Sequence, residues 1–141
     1  MVVENIGAWR SLLDAGGICS GRPNDQTWST LEYACHVRDV YRRYHGRVAL
    51  MLSEVDPLFP NWDQDASAVD DSYETQDPSE VVDQLAAAAE DLAVQLLRVE
   101  SNGWERPGRR SDGATFTVAS IARYMIHDPI HHLWDVSRQR P

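Results

Sequence analysis

Three things are scarce in this 141-residue chain: lysine, cysteine and long apolar runs. Lysine is missing altogether, so every side-chain cation apart from histidine is an arginine, a bias of composition rather than a functional signal. The two cysteines, Cys19 and Cys35, make neither a CxxC nor a close pair, which excludes a disulfide framework and leads us to expect a reduced, cytoplasmic setting. Apolar stretches such as 48–52 are far too short to cross a bilayer, and the first six residues lack the basic and apolar regions of a signal peptide. Positive charge is short as well: 13 basic residues face 22 acidic ones, a formal net charge of −9. A field of that sign repels phosphate backbones and argues against nucleic-acid binding. There is no G-x-S-x-G, phosphate loop, dinucleotide fingerprint or internal repeat.

What is present suits one compact domain over 1–141. Hydrophobic residues make up 43% and charged residues 25%, enough apolar material for a core without staples. Four segments carry helical periodicity and none alternates as a strand. The first covers about 4–13 and stops at Gly16-Gly17. The second opens at Trp28-Ser29-Thr30-Leu31-Glu32, where Ser29 and Glu32 form a capping box and Trp28 and Tyr33 a hydrophobic staple. It should run over about 30–54, with Ala34, Val37, Tyr41, Tyr44, Val48, Met51 and Val55 as one seam. A long acidic connection then reaches Gln76. Asp77 caps a third helix with Pro78 at its first position and Asn102-Gly103 as its stop; Val81, Leu85, Ala89, Leu92, Leu96 and Val99 form its stripe. The fourth helix should cover about 117–138. Such helices predict an all-α four-helix bundle, with an irregular α domain as the alternative.

The chemistry concentrates in His127-Asp128-Pro129-Ile130-His131-His132. On a helix His127 and His131 stand one turn apart and can share a metal ion, with His36 on the second helix as the third nitrogen. Three imidazoles with open positions make a catalytic site for zinc, nickel or ferrous iron. Taken alone, the pair is equally open to surface or packing histidines. Phase complicates it: Val118, Ile121, Ala122, Met125, Leu133 and Val136 form the apolar stripe, and His127 and His131 fall opposite. Either that face is exposed and the histidines are ordinary or the helix is buried on two sides, which the company of Tyr124 and Trp134 favours. Pro129 removes the bond to the Met125 carbonyl and should kink the helix. His132 projects toward the stripe as a packed or hydrogen-bonded histidine, and His45 belongs to the surface or seam edge. Asp39, Asp128 and Asp135 lie near the candidate ligands, where one could orient an imidazole.

Other candidates carry less. Asp63, Asp65, Ser67, Asp71 and Glu74 match the ligand spacing of a calcium hand, yet Ala68 replaces the required glycine, so an ordered loop packing Phe59 and Trp62 is expected instead. Cys35 reads as a small core residue. Arg38, Arg42, Arg43 and Arg47 form a basic stripe expected to pair with the abundant carboxylates.

With these residues in view, the chain resembles the DinB/YfiT-like superfamily. Trp28-Ser-x-Leu-Glu-Tyr-x-x-His36 is similar to that family's second-helix start with its first ligand, and His127-Asp-x-x-His131 to its C-terminal H-x-x-x-H. The resemblance implies a four-helix bundle holding one divalent ion through His36, His127 and His131 in a solvent-open cavity. It also implies a thiol S-transferase using bacillithiol, glutathione or mycothiol. The sequence departs from the pattern where His132-Leu133 replaces a Gly-Gln pair, and no counterpart of the isomerases' extra C-terminal domain is expected within 1–141, so isomerase activity is not carried over. The expected partners are a low-molecular-weight thiol and a small electrophile, with a homodimer open. Metal-assisted hydrolysis with Asp39 or Asp135 as base, or a non-catalytic metal-binding module, are the alternatives.

Overall fold

The computed structural model describes residues 1–139. Helix α1 spans Val2–Asp14, α2 Thr30–Ser53, α3 Gln64–Asp70, α4 Pro78–Leu97, α5 Val118–Met125 and α6 His127–Ser137. Three short strands, β1 (Leu58–Phe59), β2 (Pro107–Arg110) and β3 (Thr115–Thr117), lie in the order β1-β2-β3. The bundle consists of α1, α2, α4 and the pair α5–α6, with α2 at its centre. Trp9, Tyr41, Met51, Leu85, Leu92, Ile121 and Val136 are buried between these helices.

α2 begins where the capping signals place it. Ser29 Oγ accepts from the Glu32 amide at 3.1 Å and Glu32 Oε1 accepts from the Ser29 amide at 3.2 Å, while the rings of Trp28 and Tyr33 meet edge-on at 5.5 Å. Arg22 adds a fork from the preceding turn, donating to Glu32 Oε1 from Nε at 2.8 Å and to Oε2 from Nη2 at 2.6 Å. This clamp fixes the turn that carries His36. The expected seam is buried from Ala34 to Met51, but α2 stops at Ser53 and leaves Val55 93% exposed. Its last carbonyls are taken by Arg106, which donates to Met51 O at 2.7 Å and to Glu54 O at 2.9 Å.

The small sheet contradicts the expectation of no strands. Two to four residues are too few for alternation to show, and β1 pairs with β2 in parallel across a long stretch of chain. Gly108 permits it: a Cβ there would stand 2.7 Å from Met51 Cγ. The acidic connection also carries more order than a loop, namely β1, α3 and a 3₁₀ turn at Tyr73–Thr75. Asp63 caps α3 by accepting from the Ala66 amide at 3.0 Å, so it serves a helix rather than calcium.

The last helix is divided in two at Ile126, which keeps helical dihedrals. Pro129 offers no N–H to Met125 O, α5 ends there, and α6 restarts at His127. Asn5 Nδ2 donates to Pro129 O at 3.1 Å while Tyr41 donates to Asn5 Oδ1 at 3.0 Å, so the first turn of α6 is tied to α1 and α2.

The Arg22 clamp should be visible in acid. The Arg22 guanidinium, helped by Ser29 and opposed by burial, holds the Glu32 carboxyl below its ordinary pKa. A depressed folded pKa contributes stability that is present above the unfolded value and is lost as pH falls through the folded one. Arg22→Gln should cost about 1–2 kcal/mol near pH 7. In chemical denaturation that gap should shrink toward zero as the carboxylates protonate; a gap independent of pH would contradict the clamp.

Candidate metal centre

His36 lies two turns into α2 and is wholly buried. Its ring stacks on Trp62 at 5.1 Å with 16° between planes, and Trp28 leans on it at 5.2 Å. Neither ring nitrogen has a hydrogen-bond partner among the described residues. An orphaned buried polar atom costs about 1–3 kcal/mol, so such a ring calls for a ligand.

Two side chains of α6 face it. His36 Nε2 lies 3.9 Å from Asp128 Oδ2, and one ligand atom each from His36, Asp128 and His132 lie within 4.8 Å of one another. That separation is too long for a hydrogen bond, but near the roughly 3–3.5 Å expected between donors sharing an ion at 2.0–2.2 Å. The His132 ring stands edge-on to His36 at 4.7 Å and near Tyr33 at 5.1 Å. Its Nδ1 lies 3.2 Å from Asp135 Oδ2; a proton donated there leaves Nε2 with a free lone pair.

Both side chains are held in ligand form. Burial first, then the neighbouring His36, pull the His132 pKa below the ordinary histidine value, which favours the neutral ring. The His36 imidazole, with the other two histidines, holds the Asp128 carboxyl below the usual carboxylate range against its burial. A neutral imidazole and an ionised carboxylate are what a divalent ion requires.

The expected convergence of His36 with His127 and His131 is not found. Among the described residues His127 joins no group of potential ligands, and His131 groups with His132 and Asp135 but not with His36. The reason is helix phase. Pro129, Leu133 and Val136 turn toward the core, so Asp128, His132 and Asp135 flank that stripe on the α2 side. His127 and His131 fall one further step of about 100° away, outward. His131 is 62% exposed there, with Nε2 3.4 Å from Asp135 Oδ2. His132 is packed and hydrogen-bonded as expected, against Tyr33 and His36 and to Asp135, and it also joins the group of potential ligands around His36. Sequence reasoning passed over the Asp128/His132 pair, whose spacing of four residues at the edge of the apolar stripe was the available signal.

Neither candidate base stands free. Asp39 accepts from Tyr73 Oη and from Arg38 Nε at 2.9 Å in a network with Gln76 and Gln84, and joins none of the ligand groups. Asp135 is engaged by His131 and His132. Cys35 is buried, its thiol pushed up to about 12 chiefly by burial, so it is no nucleophile. The calcium-hand residues join no ligand group among the described residues.

The centre has a closed and an open side. Trp28, Trp62 and Tyr33 wall in His36 and His132, whereas the Asp128 side chain is 44% exposed and borders a depression lined by His127, Ile130, His131 and Trp134. No described helix is long and apolar enough to cross a membrane.

Comparison with known proteins agrees with this architecture. The model of the DinB superfamily matches residues 17–136. The fold is similar to that of YfiT from Bacillus subtilis, described as "a probable metal-dependent hydrolase with an unusual four-helix bundle topology". That likeness has a TM-score of 0.83 at 19% identity, over 98% of this chain and 82% of that one. No curated protein matches this chain significantly.

Metal titration of single variants tests the grouping. Asp128→Asn and His132→Ala should weaken binding by more than the roughly 10–100-fold expected of Asp135→Asn, which removes only an orienting partner. His127→Ala should leave affinity unchanged, with the far-UV helical signal intact throughout. Loss of metal in His127→Ala with retention in His132→Ala would overturn the assignment.

Proposed function

We propose that this chain, which belongs to the DinB superfamily, is a metal-dependent enzyme that transfers a low-molecular-weight thiol to a small electrophile. One divalent ion, zinc first and nickel or ferrous iron as alternatives, would be held by His36, Asp128 and His132. The observation that carries this reading is the buried His36 imidazole, partnerless and facing a half-exposed carboxylate and a second imidazole. Two imidazoles and a carboxylate suit zinc or non-haem iron and leave coordination positions open. A divalent ion there would supply Lewis acidity, lowering the pKa of a thiol or water toward neutrality.

The chain's own side chains do the rest. Trp28 and Trp62 fix the His36 ring and keep water from its closed side. Asp135 holds the His132 proton on Nδ1 and so sets the tautomer of that ring. Ile130 and Trp134, about half exposed beside Asp128, offer apolar surface to the body of an electrophile. Because Asp39 and Asp135 are both committed to other partners, neither of these carboxylates is free to take a proton from water. A thiol, far more acidic than water, needs such a base less, and this favours thiol transfer.

Hydrolysis is the second reading. It is supported by the description of YfiT as a probable metal-dependent hydrolase. The exposed His131, backed by Asp135 at 3.4 Å, would be its proton acceptor.

Metal-loaded protein should form S-conjugates of monochlorobimane or chlorodinitrobenzene with at least one of mycothiol, bacillithiol and glutathione, and His132→Ala should lower that rate at least about a hundredfold. Thiol-independent ester hydrolysis that falls in His131→Ala would establish the second reading. Turnover of neither kind would contradict both.

A further inference from the structure

Where α1 meets α6 the two helices do not fill the space between them. Trp9 and Leu12 of α1 go into the core, at 0% and 4% exposed. Ala8 and Ser11, three residues apart and so on one face, turn toward α6 with almost no side chain to offer it. α6 does not close the gap either: Ile130 and Trp134, one turn apart, stay 47% and 53% exposed. What remains is a groove of about 430 Å³, with Ala8 and Ser11 on one wall, Ile130, Leu133 and Trp134 on the other, and Leu12 beneath. Small-molecule sites occupy roughly 300–1,000 Å³.

The chemistry of the groove is apolar. No charged side chain lines it, in a chain of which 25% of the residues are charged. Ser137, at one end, spends its hydroxyl on Trp134 O at 2.7 Å. The indole wall is fixed in place: the Arg138 guanidinium lies 4.4 Å over the Trp134 ring, and the His131 ring stacks on it at 6.2 Å with 26° between planes. A wall already ordered loses little freedom when a ligand packs on it. The groove is also continuous with the candidate metal centre. Ile130 and Trp134 line both it and the depression beside Asp128, so they form a ridge shared by the two. One molecule can lie across that ridge, with its reacting atom at Asp128 and its body between α1 and α6, a span of about one helix diameter, roughly 10 Å.

We propose that the groove between α1 and α6 receives the uncharged, aryl-sized body of the electrophile, so that the substrate class is a neutral aromatic electrophile rather than a small polar or anionic one. Burial of that body against Ile130, Leu133 and Trp134 supplies the affinity, and the net charge of −9 adds a field that disfavours anions. The inference deepens the proposed function and rests on it for the reacting centre; the groove itself needs no metal to hold an apolar group.

The uncharged fluorophore N-phenyl-1-naphthylamine, which brightens in apolar surroundings, tests the groove directly. Saturable binding is expected with and without metal. Ala8→Phe and Ser11→Leu fill the groove from α1 and should each weaken it about tenfold or more. Ser11 is exposed, so its variant keeps the test valid if Ala8→Phe fails to fold. Ala122→Phe, in the separate apolar cleft beside α4 and α5, should change nothing. His132→Ala should lose metal yet keep the fluorophore, so a failed metal reading and a failed groove are told apart. In turnover, the α1 variants should raise KM for chlorodinitrobenzene about tenfold, with little change in kcat, and leave KM for the small electrophile iodoacetamide unchanged. Absence of saturable binding, binding unchanged in both α1 variants, or equal rises in KM for both electrophiles would overturn the proposal. So would a dimer in sedimentation that Ala8→Phe dissociates, which would give the groove to a second copy of the chain.

Discussion

The missing amide of Pro129 constrains the whole site. Without it the hydrogen-bond ladder lapses at Ile126, whose backbone stays helical (φ −69°, ψ −18°), so α6 keeps the phase of α5 and buries Pro129 and Val136. The carbonyl of Pro129, held by Asn5 and through it by Tyr41, locks that phase to α1 and α2. Asp128 and His132 then face His36, while His127 and His131 face outward.

Around that constraint the fold sets a rigid wall against an open rim. The Ser29–Glu32 box and the Arg22 fork fix the start of α2, and the aromatic rings of Trp28, Trp62 and Tyr33 close over the histidines. Enclosing a polar ring with no hydrogen-bond partner is a local cost, of the kind that structures tolerate where function needs it. Asp128, half exposed, is where a small molecule can approach. The same indole that stacks on His36 carries Arg43, so the unpartnered Arg43 Nε and the unpartnered imidazole are neighbours in one region of an acidic molecule.

Much of this was legible in the sequence, and the failures have physical causes. Caps, staple and 3-4 stripes are local, and they placed α2 and the start of α4 to within a residue or two, with the family resemblance pointing to the same bundle. The strands rest on long-range pairing of two to four residues and leave no local trace. The site was half legible. His36 belongs to a group of potential ligands in the structure as in the sequence reading, and helix phase set His127 and His131 opposite the apolar stripe with His132 toward it. The H-x-x-x-H pattern nevertheless outweighs phase in the sequence, where Asp128 reads as a carboxylate that could orient an imidazole rather than as the first member of a ligand pair one residue further on. Arg43 and Arg47 were assigned carboxylate partners on abundance alone; only packing shows that the carboxylates went elsewhere.

The central claim is which side chains surround the ion, and anomalous diffraction at the metal absorption edge from a metal-loaded crystal tests it most directly. The expected result is one strong peak bonded to His36, Asp128 and His132, at the roughly 2.0–2.2 Å typical of nitrogen and oxygen ligands. A peak bonded to His127 and His131 on the outward face, with His36 left unligated, would contradict it.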